Sequence, residues 1–217
     1  MTKHGALAVA FLLATAGGAD GQVGIAGRAG TLGFGGEVAI GLGNVVVLRG
    51  GAGLSTLEPN TTFDGIAVVL DLPDLWYNVG LDFYLNGAFR LGGGILFKPD
   101  DPVLRGSFDR AVDIGGTSLT PTELGALTGT VGLKDRAAYA LIGFGKHTDR
   151  GVGLFVDLGA AFFGTPGVTL EAQGGSYPQD DLAPLLDAEA RNFEEDMKTY
   201  LKVWPLLSVG LRVGFGG

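Results

Sequence analysis

The stretch Trp204-Pro-Leu-Leu-Ser-Val-Gly-Leu-Arg-Val-Gly-Phe215 separates into two rows of side chains from position 207 onward. The apolar row consists of Leu207, Val209, Leu211, Val213 and Phe215, and the intervening row consists of Ser208, Gly210, Arg212 and Gly214. Because successive side chains of a β-strand point to opposite sides, this alternation predicts a strand with one apolar face. A strand placed between hydrocarbon and a polar interior is typical of a membrane β-barrel.

The same two-faced pattern recurs along the chain in segments bounded by Gly, Asn, Asp or Pro. The other segments are 23–29, 32–42, 45–54, 75–85, 88–97, 137–145 and 152–163. In the second of them, Leu32 and Phe34 are expected to share the outward face. The pattern therefore predicts an all-β fold, a transmembrane antiparallel up-and-down β-barrel of eight strands. A soluble barrel of the lipocalin kind would turn its apolar row inward, which the Arg and Asp residues of the opposite row oppose.

The connections between these segments alternate in length. Links after the second, fourth and sixth segments are short, whereas 55–74, 98–136 and 164–203 are long. Short turns at one end and long loops at the other are the asymmetry of outer-membrane barrels. The first link is short and breaks this rule, so two alternatives stay open: a longer ribbon formed by the first two segments, or an additional strand within 63–72.

The last long link contains a second periodicity, which predicts one amphipathic helix over 182–202. Asp180-Asp181 stands at its start, and Pro184 lies in its first turn. The apolar stripe consists of Leu182, Leu185, Leu186, Phe193, Met197 and Leu201. The side of the membrane that this helix occupies is left open.

The N-terminus predicts export. A short basic start is followed by an apolar core over 6–14, and small-x-small cleavage sites end at Ala16 and Ala19. We expect a signal peptide over 1–19, cleaved after Ala16 or Ala19, and a single barrel domain over 20–217. The alternative, a membrane anchor, is disfavoured because a spanning helix needs about 20 apolar residues. The absence of cysteine excludes a lipid-anchored thiol and a disulfide framework.

Composition agrees with an exported membrane barrel. The mean hydropathy is +0.32, yet the segment that follows the predicted signal peptide contains no long uninterrupted apolar run. Glycine, at 40 of 217 residues, leaves room on the inward row for a few large polar side chains. The formal net charge of −8 argues against nucleic acid as a partner.

Charged residues fall on the inward row of the predicted barrel. They are Arg28, Glu37, Arg49, Asp82, Arg90, Asp157 and Arg212. An eight-stranded barrel is only wide enough inside to be filled by side chains, and a buried charge without a partner is costly. We therefore predict an ion network that plugs the lumen, with a narrow polar pathway as the alternative.

Catalytic chemistry finds little support in the sequence. The chain has two histidines: His4 lies in the predicted signal peptide and His147 in a short turn, so a serine–histidine hydrolase lacks its base. Asp100-Asp101 and Asp180-Asp181 are interpreted as solvated loop charges. We predict no enzyme activity, no catalytic, cofactor-binding or metal site, and no cofactor.

Several motifs give the chain a resemblance to a known class. They are the stretch from Arg28 to Glu37, Phe89-Arg-Leu-Gly-Gly-Gly94, Val156-Asp-Leu-Gly159, Gly164-Thr-Pro166 and the closing stretch that ends at Phe215. Together they resemble small outer-membrane β-barrels of the OmpA/OmpW/opacity-protein type. The resemblance implies that the final strand, with Phe215 followed by Gly216-Gly217, carries the signal recognised by the barrel-assembly machinery.

These observations favour a structural or surface-interaction protein of the bacterial outer membrane, with a plugged lumen. A small channel or transporter for minor or hydrophobic solutes is the alternative, and a barrel lipid-modifying enzyme or protease is less favoured. The expected partners are outer-membrane lipid and, during biogenesis, the assembly machinery. We expect a monomer without a nucleic-acid partner.

The assignment of the two rows is testable in the last strand. Leu211→Arg would place a cation on the lipid face, at a cost of about 2–4 kcal/mol near the bilayer midplane, and should impair membrane assembly. Replacement of Arg212 should impair assembly less. Assembly is measured by the heat-dependent gel shift of the folded barrel. If Leu211→Arg is tolerated and Arg212 is indispensable, the two rows are reversed.

Overall fold

A computed structural model describes residues 22–55, 58, 60–63 and 66–215, and the predicted signal peptide lies outside this part. In chain order the strands of the described residues are β1 (Val23–Gly30), β2 (Gly33–Gly41), β3 (Val46–Leu54), β4 (Asn60–Phe63), β5 (Ile66–Asp71), β6 (Leu75–Asn86), β7 (Phe89–Phe97), β8 (Val103–Ser107), β9 (Val112–Ile114), β10 (Thr117–Leu119), β11 (Gly125–Gly132), β12 (Arg136–Phe144), β13 (Gly151–Phe162), β14 (Gly167–Gly174) and β15 (Val203–Phe215). The helices are α1 (Pro121–Leu124) and α2 (Gln179–Leu201).

Eight of these strands close into an antiparallel barrel. Their order around it is β1-β15-β13-β12-β7-β6-β3-β2, and the first strand pairs with the last from Val23↔Phe215 to Gly30↔Ser208. Each of the eight predicted segments coincides with one of these strands to within one residue at either end. The predicted fold is therefore confirmed, because the period-two pattern marked every strand of the closed wall.

The outward row of the barrel is apolar and exposed. In β15, Leu207, Val209, Leu211 and Phe215 are 52–59% exposed and Val213 is partly buried. The prediction that Leu32 lies outward was wrong, since Leu32 is only 8% exposed. The two-residue turn between β1 and β2 interrupts the alternation there, and Leu32 joins the interior cluster.

The long links build a second sheet, which the sequence did not predict as a unit. Strands β4 and β5 come from the first long link, β8 and β11 from the second, and β14 from the third. They pair in the order β14-β11-β8-β5-β4, with a separate β9–β10 hairpin. The additional strand that the sequence offered as an alternative within 63–72 is present, and it is β5. All three links leave the same end of the barrel, which we call the long-loop end; the other is the short-turn end.

The predicted helix in the last long link is confirmed, and it begins three residues earlier than expected, at Gln179. Leu182, Leu186 and Ala190 form its buried side. The apolar cluster that covers Leu182 and Leu186 consists of Val112, Ile114, Leu119, Leu124, Leu127 and Ala172. Asp180 and Asp181 lie in the first turn, where the helix dipole favours negative charge. The five-stranded sheet built by the long links, the β9–β10 hairpin and α2 thus share a core, and we call this assembly the platform.

Neither described helix has the length and apolar composition that a membrane-spanning helix requires.

The platform is joined to the barrel by apolar packing at the long-loop end. Inward side chains of the barrel form the wall of this cluster: Leu32, Trp76, Leu96, Tyr139, Leu141, Ala161 and Leu206. Val131 of β11 and Leu133 just after it are buried in the same cluster. Trp76 is fully buried, with Phe163 and Trp204 rings at centroid distances of 6.3 and 5.4 Å. The platform therefore closes the outer half of the lumen with hydrocarbon and aromatic rings.

The separate core of the platform predicts separable stability. Leu182→Ala removes a fully buried side chain from the platform, at a cost of about 2–5 kcal/mol, without touching the barrel wall. We expect proteolytic cleavage within the long links while the heat-dependent gel shift of the barrel persists. Asp181→Ala, at an exposed position one residue away, is the control. Joint loss of barrel and platform would show that they fold as one unit.

Candidate functional site: a charge-balanced network in the lumen

Arg49 of β3 is the centre of a buried ion network in the half of the lumen below the apolar cluster. Its guanidinium lies 3.4 Å from a Glu37 oxygen, 3.2 Å from an Asp82 oxygen and 2.7 Å from an Asp157 oxygen. In the barrel order β13 is four strands from β3 in either direction. The contact between Arg49 and Asp157 therefore spans the lumen and links opposite walls.

Two further arginines complete the network. Arg28 Nη1 lies 2.8 Å from Glu37 Oε1, and Arg28 Nη2 donates to Asn78 Oδ1 at 3.0 Å. Arg90 Nε lies 3.2 Å from Asp82 Oδ2, and Arg90 Nη2 donates to Asp157 Oδ1. The Arg90 guanidinium also lies 6.0 and 5.9 Å from the ring centroids of Tyr84 and Phe155. Such contacts with aromatic faces favour a buried cation.

The network is electrically balanced. Three cations, Arg28, Arg49 and Arg90, face three anions, Glu37, Asp82 and Asp157, and the side chains of these six residues are 0–9% exposed. Burial of a single charge costs several kcal/mol, and each of these charges touches at least one opposite charge. The structure thus brings together six of the seven residues that the alternation placed inside.

Glycines on the inward row make the space for these side chains. A Cβ at Gly51 would approach Glu37 Cγ to 2.8 Å, and one at Gly143 would approach Arg90 Cζ to 2.8 Å. A Cβ at Gly92 would collide with the Asp82 carboxylate. Glycine at these positions therefore follows from the size of its neighbours.

Arg212 is placed differently from its prediction and does not join the network. Its guanidinium donates to the backbone carbonyls of Asp149 and, at 3.2 Å, of Gly151, both at the short-turn end. Arg212 lies in the last third of β15, three residues before Phe215, at the short-turn end of the barrel. Its inward direction follows the alternation, but its height in the barrel puts it next to the turn.

Sequence reasoning missed His147, which the structure adds to the site. The imidazole is 1% exposed, and Nε2 lies 3.4 Å from Glu37 Oε2. Its ring centroid is 4.4 Å from that of Phe155. Burial lowers the pKa of His147, and Arg90 and Arg49 reinforce this effect, whereas Glu37 opposes it. The sequence signal was weak, since a lone histidine in a short polar turn is ordinarily solvated.

Little free space remains between the network and the apolar cluster. A cavity of about 30 Å³ is bounded by Arg28, Asn78, Tyr139, Leu141 and Leu206, among others. This is the room that about one water molecule needs. In the part of the chain that the structure describes, no group of three or more His, Cys, Asp or Glu side chains is arranged to hold a metal ion.

A closed eight-stranded antiparallel barrel with an apolar outer row, short turns at one end and long connections at the other is the architecture of an outer-membrane barrel protein. The fold is similar to that of CarO from Acinetobacter baumannii, with a TM-score of 0.60 and 20% identity over 88% of this chain and 97% of that one. CarO2 from the same species gives a TM-score of 0.62 and 19% identity over 89% and 98% of the two chains. At such identities the similarity establishes the fold.

A major outer membrane protein of Thermus thermophilus aligns over 91% of this chain and 100% of its own, with a TM-score of 0.39 and 15% identity. No protein-family model matches the sequence, and no curated protein is similar to it in sequence.

The network predicts a large loss of stability when its centre is removed. Arg49→Met leaves three carboxylates facing two arginines, and uncompensated buried charge of this kind costs about 3–5 kcal/mol. The free energy of unfolding is measured in urea after folding into lipid vesicles. Arg150→Met, at an exposed position, is the control and should change it by less than about 0.5 kcal/mol. Equal stability of Arg49→Met and the wild-type protein would refute a structural role for the network.

Proposed function

We propose that this protein is a structural or surface-interaction protein of the bacterial outer membrane, in which a closed barrel anchors the platform. The observation that carries the proposal is the filling of the lumen along its length. The outer half is filled by the apolar cluster around Trp76, and the inner half by the network around Arg49. A barrel filled in this way supports anchoring better than transport.

The platform has the properties of a stable contact surface. Thr120 and Glu123 form a capping box at the start of α1, and Glu189 of α2 accepts from the Gly115 amide at 3.1 Å. Loops that are held on a rigid scaffold commonly carry recognition. The exposed carboxylates of α2 include Asp180, Asp181, Asp187 and Glu195. Because they repel polyanions, the platform suits a neutral or basic partner and not nucleic acid.

The location, the type of barrel, the route of export and the oligomeric state are part of the same proposal. The resemblance and the fold support placement in the bacterial outer membrane and membership of the OmpA/OmpW/opacity-protein type. Export by a cleaved signal peptide is proposed from the N-terminal sequence pattern, and the monomeric state stays a prediction. The absence of an enzyme activity also stays a prediction. The apolar row of β15 is the surface we assign to outer-membrane lipid and to recognition by the assembly machinery.

A small transporter is the second candidate, and one feature of the wall favours it. β15 pairs with β13 from Val203 onward but with β1 only from Ser208 onward. The barrel wall is therefore lower beside the β1–β2 turn, where Thr31 N donates to Leu207 O at 2.9 Å. The water-sized cavity is lined in part by Thr31 and Leu207, so this notch is the route a small apolar solute would use.

Single-channel current separates the two candidates. The refolded mature protein is placed in a planar bilayer after a gel shift shows that it has folded. A closed lumen predicts a current indistinguishable from that of a protein-free bilayer. Steady openings that change when Arg49 or Arg90 is neutralised would contradict the proposal and favour the transporter.

A further inference from the structure

The link between β12 and β13, residues 145–150, folds inward and not away from the barrel; we call it the plug turn. His147 is 1% exposed and Thr148 is fully buried. A Cβ at Gly24 of β1 would collide with the His147 carbonyl oxygen, and one at Gly214 of β15 would collide with that of Asp149. The plug turn therefore lies against the inner wall at the short-turn end, in space that two glycines leave.

Wall residues hold the plug turn along its length. Arg90 donates to the Gly145 carbonyl at the start of the turn, and Arg212 donates to the carbonyls of Asp149 and Gly151 at its end. Between these points the Tyr84 hydroxyl accepts from the His147 amide at 3.1 Å. Thr148 Oγ1 lies 3.3 Å from Gln22 Oε1. These contacts account for the position of Arg212, whose partners are turn carbonyls and not carboxylates.

His147 connects the plug turn to the charge balance of the network. The charged and titratable groups around it are Glu37 from β2, Arg49 from β3, Asp82 and Tyr84 from β6, Arg90 from β7, Asp157 from β13, Arg212 from β15, and Lys146 and Asp149 from the plug turn itself. The six buried charges of the network already cancel, so a proton on His147 would add a seventh, uncompensated charge at a buried position.

We propose that the plug turn is an acid-released closure of the short-turn end, and that protonation of His147 is the event that releases it. Release moves His147 into water, where its charge is solvated. The apolar cluster at the long-loop end is independent of this step and stays closed. The inference therefore goes beyond the proposed surface function, and either can fail without the other.

The sign of the pH effect follows from the burial of His147. In the released turn the imidazole has an ordinary pKa near 6.5, whereas burial lowers the pKa of His147 in the closed turn. Above about pH 6.5 the imidazole is neutral in both states, so the closed turn has its full stability. As the pH falls below this value, the released turn binds more protons and gains up to about tenfold in relative population per pH unit.

A single cysteine can report release because the natural chain contains none. Thr148→Cys places a thiol at a fully buried position. Arg150→Cys, at an exposed position of the same turn, corrects for the pH dependence of thiol chemistry. The experiment measures maleimide labelling of the folded protein in lipid vesicles. We expect the ratio of the Thr148→Cys rate to the Arg150→Cys rate to rise about tenfold or more between pH 7.5 and 5.0.

Two further variants separate protonation from general loosening. His147→Gln in the Thr148→Cys background removes the titrating group, and the labelling ratio should then be independent of pH. Gly24→Ala should displace the turn and give fast labelling at both pH values, whereas Gly27→Ala, which meets no neighbour within 4 Å, should leave it closed.

A ratio that changes less than twofold between the two pH values would overturn the proposal, as would an unchanged pH dependence in His147→Gln. Folding of every variant is checked by its gel shift. If Thr148→Cys fails to fold, deuterium exchange of the backbone amides of 145–150 in the wild-type protein gives the same test. Exchange that is equally slow at pH 5.0 and 7.5, after correction for intrinsic rates, would then refute release.

Discussion

The contact of Arg49 with Asp157 across the barrel is the interaction on which the interior depends. Eight strands enclose a space that side chains must fill, and the inward alternation delivers charged residues into that space. A buried charge is tolerated only beside an opposite one, so Arg49 must meet carboxylates from several strands at once. This requirement in turn explains why Gly51 and Gly143 lack side chains at the positions beneath those groups.

Different interactions close the two halves of the lumen, apolar packing in one and paired charges in the other. Near the platform, Trp76 and its neighbours exclude water by apolar packing, which involves no titrating group and is not screened by salt. Near the short-turn end, closure depends on paired charge and on a turn whose histidine must stay neutral. In the function we propose, the barrel anchors and the platform presents a contact surface, and in the inference we draw from the structure the plug turn is the part that a change of pH releases.

The strands of the barrel wall could be predicted well from the sequence. The platform sheet, the position of Arg212 and the burial of His147 could not, for identifiable reasons. A period of two is strong in segments such as 207–215, because one face points out of the barrel and the other into the lumen. The same alternation predicted which charged residues point into the lumen. Arg212 lies outside the ion network because alternation does not specify how far along the barrel axis a side chain lies. The platform sheet was missed because its short strands come from three separate links, which are joined through the pairs β11–β14 and β5–β8. Alternation does occur in β14, where Val168, Leu170 and Ala172 share one face, but it does not reveal which strand is the partner. His147 was missed because the length of a turn does not reveal whether it folds inward.

Solvent exchange of arginine side-chain protons tests the central claim, a dry and ion-paired lumen, most directly. Nitrogen-edited NMR of the protein in nanodiscs resolves each guanidinium Nε proton, and single substitutions assign the signals. Because both side chains are buried and ion-paired, we expect the Nε protons of Arg49 and Arg90 to exchange with water about 100-fold more slowly than that of the exposed Arg150, or slower still. Exchange of Arg49 as fast as that of Arg150 would mean a hydrated lumen and would contradict this claim.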